Sequence, residues 1–317
     1  MHPFDSKLVK TAARNSLEKA GAKHKNLVTL HTGAILLLTF ALMLMDFLLE
    51  QKISTIGGLG GIGTRSTLAT IQAVLRLSQL AVVPFWQVGY TYLTLRLSRE
   101  ESAGIGDLFE GFRRWGAVLR LFLLQAALYF GITFVSINIS SSIFVMLPWA
   151  QPLNELSLSI AAGNELTTEA LMAVMQQVAL PLTLTTLVVL LPLIAPFYYR
   201  YRMSLLFLLD GEQNSALFAM RESQAWMKGH RIALFKLDLR FWWYYALELL
   251  VGAVSFLDLG LAALGIQLPW PSAVTTFVCF GLYAAAQLLL HRSLKNYVYV
   301  AYAQGYNNLI AQEEDTN

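Results

Sequence analysis

Long apolar blocks alternate with short polar segments along this chain, and the blocks set the predicted elements. Six blocks are each long enough for a helix that crosses a bilayer, which takes about 20 apolar residues. The predicted spans are residues 27–49, 67–95, 116–147, 171–199, 232–258 and 273–302. The pattern therefore predicts an all-α, polytopic membrane domain over residues 26–304 with six transmembrane helices.

The polar segments predict short helices and a tail. Residues 1–25 carry Phe4, Val9 and Leu17 at near-helical spacing with lysines and arginines on the other side, which predicts a basic amphipathic helix. Such a helix lies on an anionic leaflet, or it is solvated and its cations only set the topology; the sequence leaves both open. Amphipathic linker helices are expected after the second and fourth spans, and residues 305–317 predict an acidic, disordered tail.

Lysine and arginine are distributed unevenly about the spans, and this predicts an orientation. One side receives four basic segments, whereas the other side receives Lys52 and Arg65. The four segments are residues 1–25, 96–120 and 200–240 and the pair Arg292 and Lys295. The positive-inside rule makes the first side cytoplasmic, so both termini are expected in the cytoplasm.

Composition narrows the class of protein. With 56% hydrophobic and 14% charged residues, a soluble domain of 317 residues would leave too much apolar surface in water. The net charge of +3 is small and spread between apolar blocks, so nucleic acid is not an expected partner. The expected partners are the lipid bilayer and other membrane proteins. Cys279 is the single cysteine, so no disulfide framework is predicted.

Two ionisable residues fall inside apolar blocks and form the first candidate site. Arg76 lies in the second span and Glu248 in the fifth, and a lone charge at mid-bilayer costs about 2.5–3.5 kcal/mol on insertion scales. Counting along both helices places the two at comparable depth, which predicts a buried ion pair between them. Asp46 is the competing partner for Arg76. The pair either fixes helix register or forms a polar relay, and the first interpretation is favoured.

No motif for a metal, cofactor or catalytic centre stands out. His31 and His291 are isolated in the sequence, without a second ligand at metal-binding spacing. Gly58, Gly60 and Gly63 match a dinucleotide-binding spacing but lack the surrounding strands and the acidic residue that such a site needs. No metal, no cofactor and no catalytic residues are therefore expected.

Aromatic and basic residues at the span ends form a second candidate site, for contacts with lipid. These residues are Tyr198, Tyr199, Arg200, Arg202, Trp242 and Trp243. Tyrosine, tryptophan and arginine at an inner membrane interface bind lipid phosphate or serve as topology and aromatic anchors, and the sequence leaves both open.

A weak internal repeat relates two pairs of helices. Residues 84–86 (PFW) correspond to residues 196–198 (PFY), and each is followed by alternating leucines and a short basic segment. Transporter folds contain such repeats, with the binding site at the repeat interface, although a duplicated structural hairpin leaves the same trace.

Several motifs together carry a resemblance. They are W-Q-V-G-Y at 86–90, D-L-F-E-G-F at 107–112, Y-R-Y-R-M at 199–203, A-M-R-E-S at 219–223, W-M-K-G at 226–229 and L-F-K-L-D-L-R-F-W-W at 234–243. In these motifs the chain resembles the bacterial integral membrane family known as domain of unknown function 975. That resemblance implies a location in the bacterial cytoplasmic membrane and no particular activity.

The expected function is that of a non-catalytic accessory or envelope-homeostasis component that contacts lipid or partner proteins. A small transporter or channel, with a site between the helix-pair repeats, is the first alternative. An intramembrane enzyme is the second, and it would need a polar cluster that the sequence pattern does not reveal.

Overall fold

The structure, a computed structural model, describes residues 3–55, 62–163, 167–211, 215–257, 260 and 272–314. Within these ranges the regular structure is helical and no strand occurs. The α-helices are α1 (Ser6–Ala20), α2 (Lys23–Thr55), α3 (Ile62–Ser98), α4 (Glu110–Arg113), α5 (Trp115–Val145), α6 (Gln151–Ala161), α7 (Thr168–Tyr201), α8 (Ser204–Asp210), α9 (Ala216–Trp226), α10 (Arg231–Arg240), α11 (Trp242–Val254), α12 (Ser272–Leu290) and α13 (Asn296–Glu314). Short 3₁₀ turns cover Ile105–Phe109 and Pro148–Ala150, and a π-helical turn, His291–Lys295, joins α12 to α13.

Five helical segments in the described part of the chain are long and apolar enough to cross a membrane. They are Lys23–Thr55, Ser66–Ser98, Trp115–Val145, Thr168–Asp210 and Val274–Gln312. Each overlaps one of the predicted spans. Because every backbone donor and acceptor inside a helix is paired within the segment, such helices meet the requirement that lipid imposes on a spanning chain.

The predicted span over residues 232–258 is not among these five segments. It forms two shorter helices, α10 and α11, which are separated at Phe241. Helix α10 carries Arg231, Lys236, Asp238 and Arg240, too many charges for a hydrocarbon environment. Residue 258 lies outside the described residues.

The chain divides into two compact units. The first unit comprises residues 1–118, 205–214 and 232–317, and the second comprises residues 119–204 and 215–231. In the first unit α2 packs on α3, α1 and α13 pack on α3 and on each other, and α11 packs on α12. In the second unit α7 packs on α6 and on α9, and Phe144, Ala150 and Val178 form a core cluster where α7 meets α6.

Two glycines of the first unit allow the segment 105–113 to lie directly on α3. A Cβ atom at Gly89 would stand 1.9 Å from the carbonyl oxygen of Leu108, and one at Gly111 would stand 2.0 Å from that of Phe85. Both distances are far below van der Waals contact, so neither position has room for a larger residue. Trp86 adds a ring contact between the same two segments, with its ring centroid 5.0 Å from that of Phe109.

Helix α1 turns its apolar side to protein. Phe4, Val9 and Ala13 are buried, and the ring of Phe4 lies where a Cβ atom at Gly305 would stand. Asp5 caps the helix by accepting a hydrogen bond from the Lys7 N–H at 3.0 Å. The apolar face, which one of the two interpretations placed in an anionic leaflet, is covered by α3 and α13, while most of the cations stay exposed.

Many large apolar side chains of the described helices are exposed. Leu37, Phe130, Val188, Leu249 and Leu289 each expose 70% or more of their surface. An aqueous protein rarely tolerates apolar patches on this scale, whereas lipid tails cover them without cost. Such a surface is compatible with a membrane protein.

Candidate functional site

The first candidate site does not form as predicted, because Arg76 and Glu248 each pair with another residue. The Arg76 guanidinium lies 2.8 Å from Asp46 Oδ2, the competing partner. Asp46 is on α2, which packs directly against α3, so it is the acid that the helix pair brings to Arg76. Glu248 is on α11, which packs against α12, and its partners come from α11, α12 and the π-helical turn that follows α12.

Glu248 lies at the centre of a polar cluster in the first unit. One carboxylate oxygen lies 2.8 Å from His291 Nε2 and also accepts a hydrogen bond from the Tyr244 hydroxyl. The other oxygen accepts a hydrogen bond of 3.1 Å from Gln287 Nε2. On the far side of the imidazole, the Thr32 hydroxyl lies 2.9 Å from His291 Nδ1. His291 is isolated in the sequence, but tertiary packing places the Glu248 carboxylate beside it.

The π-helical turn over residues 291–295 is what positions the next member, Lys295. Such wide turns are uncommon and often occur at functional sites. The Lys295 side chain is only 5% exposed, and its ammonium lies 4.7 Å from the ring centroid of Tyr90 and 5.7 Å from that of Tyr299. Its nearest hydrogen-bond acceptor among the described residues is Gln87 Oε1 at 3.4 Å. Aromatic faces stabilise a desolvated ammonium by up to about 2 kcal/mol each.

Tyr90 and Asn296 tie three helices together beside this lysine. The Tyr90 hydroxyl on α3 donates a hydrogen bond of 2.5 Å to Asn296 Oδ1 on α13. The Asn296 amide in turn donates to the backbone carbonyl of His24 on α2, at 2.9 Å. The ring of His31 stacks against Tyr90, with centroids 4.6 Å apart, and is fully buried.

The cluster brings an acid, an imidazole, a hydroxyl and an ammonium group into one buried region. Glu248 and Lys295 carry opposite charges, so the region as a whole does not need an outside counterion. A carboxylate, an imidazole and a hydroxyl in hydrogen-bonded sequence are able to hold or pass a proton. No group of three or more His, Cys, Asp or Glu side chains suited to a metal is found in the described ranges.

The sequence contains a signal for this cluster. Gln287, His291, Lys295 and Tyr299 recur every four residues along the last span, so a helix places them on one side. Tyr244 and Glu248 share the same spacing on α11. The sequence does not show which side of α2 and α3 faces them, so His31, Thr32 and Tyr90 need the packing to be identified.

The residues of the second candidate site divide between the two units. In the second unit, the Arg202 guanidinium lies 4.7 Å from the ring centroid of Tyr198, and the centroids of Tyr198 and Tyr199 are 5.1 Å apart. The Arg200 carbonyl accepts a hydrogen bond of 2.9 Å from the hydroxyl of Ser223 on α9. These contacts hold basic groups beside aromatic rings at the end of an apolar helix.

Trp242 and Trp243 are at the start of α11 in the first unit. Trp242 is exposed, and Trp243 Nε1 donates a hydrogen bond of 3.1 Å to the Arg240 carbonyl. An exposed indole at the end of an apolar helix suits a membrane interface, where one side of the ring meets lipid and the other meets water.

A second polar cluster lies at the end of α3. Arg99 donates two hydrogen bonds to the Asp210 carboxylate, at 2.5 and 2.8 Å, and a third, of 3.1 Å, to Asn307. The hydrogen bonds to Asp210 raise the pKa of Arg99 above its ordinary value. The Tyr306 hydroxyl donates to the same carboxylate at 3.0 Å. This cluster ties α3, α8 and α13 together.

Two of the motifs that carried the family resemblance, at residues 86–90 and 107–112, contact each other in the first unit. The segment 107–112 lies on residues 85–89 through the two glycine contacts, and Arg96 pairs with Asp107 at 2.8 Å. No curated protein and no solved structure matches the chain. A family model does match, over residues 17–312, which is most of the chain. The chain therefore belongs to the family described as Protein of unknown function (DUF975).

Proposed function

We propose that this protein is a non-catalytic accessory or envelope-homeostasis component of the bacterial cytoplasmic membrane, working through contacts with lipid or partner proteins. In this proposal the chain crosses the bilayer six times, and the part of residues 232–258 that begins at Phe241, with α11, provides the fifth crossing. Both termini are cytoplasmic, which the distribution of lysine and arginine favours.

The observation that carries the proposal is the internal pairing of the intramembrane charges. Asp46 and Arg76 neutralise each other, and Glu248 is hydrogen bonded to His291, Gln287 and Tyr244. Groups that are satisfied by neighbouring helices fix the register of those helices. The exposed surface offers apolar side chains and basic aromatic ends, which suit lipid and membrane-protein partners.

The test is copurification of the full chain in lipid nanodiscs, with bound lipids and bound proteins both identified. We expect enrichment of anionic lipid relative to the surrounding membrane, and a reduction of that enrichment in the double variant Arg200→Gln/Arg202→Gln. The matched control is Lys7→Gln/Arg14→Gln, which removes two exposed cations from α1. A wild-type protein that retains neither lipid nor protein above background would refute the proposal.

A proton-coupled transporter is the second candidate, and the cluster around Glu248 is the observation that favours it. Polar groups from α2, α11, α12 and the π-helical turn meet there, among them the ionisable Glu248 and His291, and α7 contains three prolines, Pro181, Pro192 and Pro196. Proline-containing helices and buried acids are typical of ion pathways. Proton uptake by proteoliposomes that is lost in Glu248→Gln, with abundance and Tm unchanged, would favour transport over the accessory role.

An intramembrane enzyme is the third candidate. The order Thr32, His291, Glu248 is that of a hydroxyl, a base and an orienting acid. Thr32 is buried, however, and a nucleophile must reach its substrate. Covalent labelling of Thr32 by a hydroxyl-directed probe in the intact protein would favour this candidate.

A further inference from the structure

Two cations of the first unit, Lys10 and Arg240, lie close together at the junction of α10 and α11. Lys10 is on α1, and its ammonium lies 4.8 Å from the ring centroid of Phe241, the residue that separates these two helices. Arg240 precedes Phe241 and is the last residue of α10. The fold thus brings together two positive charges from distant parts of the sequence. We call them the cation pair.

Neither member of the cation pair is neutralised by another described residue. Lys10 is half-buried, and its ammonium makes no hydrogen bond or ion pair within the described ranges. The Arg240 side chain is exposed, and it too has no such partner there. Burial lowers the pKa of Lys10, and the nearby Arg240 guanidinium lowers it further. An anion bound beside Lys10 would favour the charged form again.

The acids of α1 and α10 each have another partner. Asp5 accepts the hydrogen bond that caps the start of α1. Glu18 lies 2.7 Å from the Arg14 guanidinium, and Asp238 accepts a hydrogen bond from the Tyr302 hydroxyl. Because like charges repel, a fold that holds the cation pair together without an acid favours an anion from outside the chain.

The surroundings of the cation pair suit a membrane interface. Phe241 is fully buried and packs against Tyr297 and Tyr302. Its two neighbours in the chain, Arg240 and Trp242, are exposed. In the proposed function α11 begins the fifth crossing, and an exposed indole at the start of a membrane helix lies at the level of the lipid headgroups. The cations beside it are therefore at the depth of the lipid phosphates.

We propose that the cation pair binds the phosphate of an anionic phospholipid headgroup. The inference names a ligand and a site for the lipid contact of the proposed function, and it rests on that membrane placement. The phosphate oxygens accept charge-assisted hydrogen bonds from the Lys10 ammonium and the Arg240 guanidinium. The exposed Trp242 ring provides apolar surface for the glycerol and the upper acyl chain.

Binding of phosphatidylglycerol to the purified full chain, by native mass spectrometry and by titration in detergent, tests the proposal. Lys10→Gln and Arg240→Gln are each expected to weaken binding about tenfold, the effect of one charge-assisted hydrogen bond. Lys10→Arg keeps the charge and should retain most of the affinity. The matched control is Lys23→Gln/Lys25→Gln, which removes two exposed lysines from the first turn of α2 and should change affinity by less than about twofold.

Thermal unfolding without added lipid separates a binding role of Arg240 from a structural one. Arg240→Gln removes the repulsion between two like charges, so its Tm should equal or exceed that of the wild-type protein. A lower Tm for Arg240→Gln, together with weaker lipid binding, would mean that Arg240 acts on the fold and would overturn its assignment to the lipid site.

Two competitors identify the source of the phosphate. Phosphatidylcholine should bind more weakly than phosphatidylglycerol, and inorganic phosphate should displace the lipid only at high concentration. Equal binding of the two lipids would overturn the proposal, because the cation pair would then not select an anionic headgroup. Displacement by inorganic phosphate at concentrations similar to that of the lipid would overturn it too, because the site would then recognise a soluble phosphate.

The outcomes also separate this inference from the proposed function. Wild-type protein that prefers phosphatidylglycerol while Lys10→Gln and Arg240→Gln bind it equally well would overturn the site at the cation pair and leave the general lipid contact intact. Wild-type protein that retains neither lipid nor protein in nanodiscs would overturn both.

Discussion

The two halves of the α2–α3 helix pair have the same kind of sequence but different surroundings. Residues 23–36 and 84–98 are mostly buried or half-buried and contribute His31, Thr32 and Tyr90 to hydrogen bonds and ring contacts with other helices. Residues 37–55 and 66–78 are largely exposed and contain one ion pair, Asp46 with Arg76. We call these the packed half and the open half.

The difference shows that the apolar character of a span does not reveal what its polar residues are for. In the packed half, polar groups connect several helices, because protein surrounds them and each needs a partner. In the open half, a single pair of opposite charges joins two neighbouring helices. The packed half is therefore expected to be far more sensitive to substitution than the open half.

The largest effect is expected from Glu248→Leu, which removes the acid at the centre of the cluster that the packed half joins through Thr32. The change leaves His291, Gln287 and Tyr244 without their acceptor and Lys295 without its compensating charge. Loss of one partner from a buried pair costs about 3–5 kcal/mol, so assembled protein in the membrane should fall sharply. The measurement is abundance together with Tm in detergent.

Glu248→Gln is the control for that change, since an amide keeps the size and part of the hydrogen bonding. It should retain more assembled protein than Glu248→Leu. Wild-type abundance of Glu248→Leu, combined with loss of a cellular phenotype, would show that the carboxylate has a functional role and not a structural one.

A smaller effect is expected from Gly89→Ala in the packed half of α3. The added methyl group would overlap the carbonyl of Leu108, and overpacking of this kind costs about 1–3 kcal/mol. Gly33→Ala on α2 is the matched control, because a Cβ atom there meets no atom within 4 Å. Thermal unfolding should show a lower Tm for Gly89→Ala alone, and equal Tm values would mean that the segment 105–113 does not lie on α3.

The smallest effect is expected from Asp46→Asn in the open half. The Arg76 side chain is 64% exposed and long enough to reach the interface once its partner is neutral, so the cost should be about 1–2 kcal/mol and below that of a lone charge held at mid-bilayer. A double-mutant cycle with Arg76→Gln measures the coupling directly. A cost equal to that of Glu248→Leu would erase the distinction between the two halves.

The sequence predicts most of the spans, but it does not predict which charged residues pair with each other. Block length and hydropathy predict helices over residues 27–49 and 171–199 because crossing a bilayer imposes a length and an apolar composition. Depth along a helix does not identify the partner of Arg76, since Asp46 and Glu248 are both at a depth that would allow them to pair with it. Only the packing of α2 on α3, and of α11 on α12, shows that Asp46 and not Glu248 is the partner of Arg76.

The residues 232–258 show a different limit. Their average hydropathy suggests one span, but the charges of α10 fall in its first third, and Phe241 ends that helix by turning into the core between Tyr297 and Tyr302. Hydropathy averaged over the whole segment does not show that it divides into α10 and α11. Likewise, the apolar side of α1 indicates burial without revealing whether lipid or protein provides it.

The wide turn at residues 291–295 makes this point of the chain intolerant of insertions and deletions. Loss of one residue there would restore ordinary α-helical winding and rotate every later side chain by about 100° about the axis. Val298, Ala301 and Leu309 would leave the interior together. An alignment of relatives that places a gap in this turn would thus mark proteins whose last helix presents another face to its neighbours.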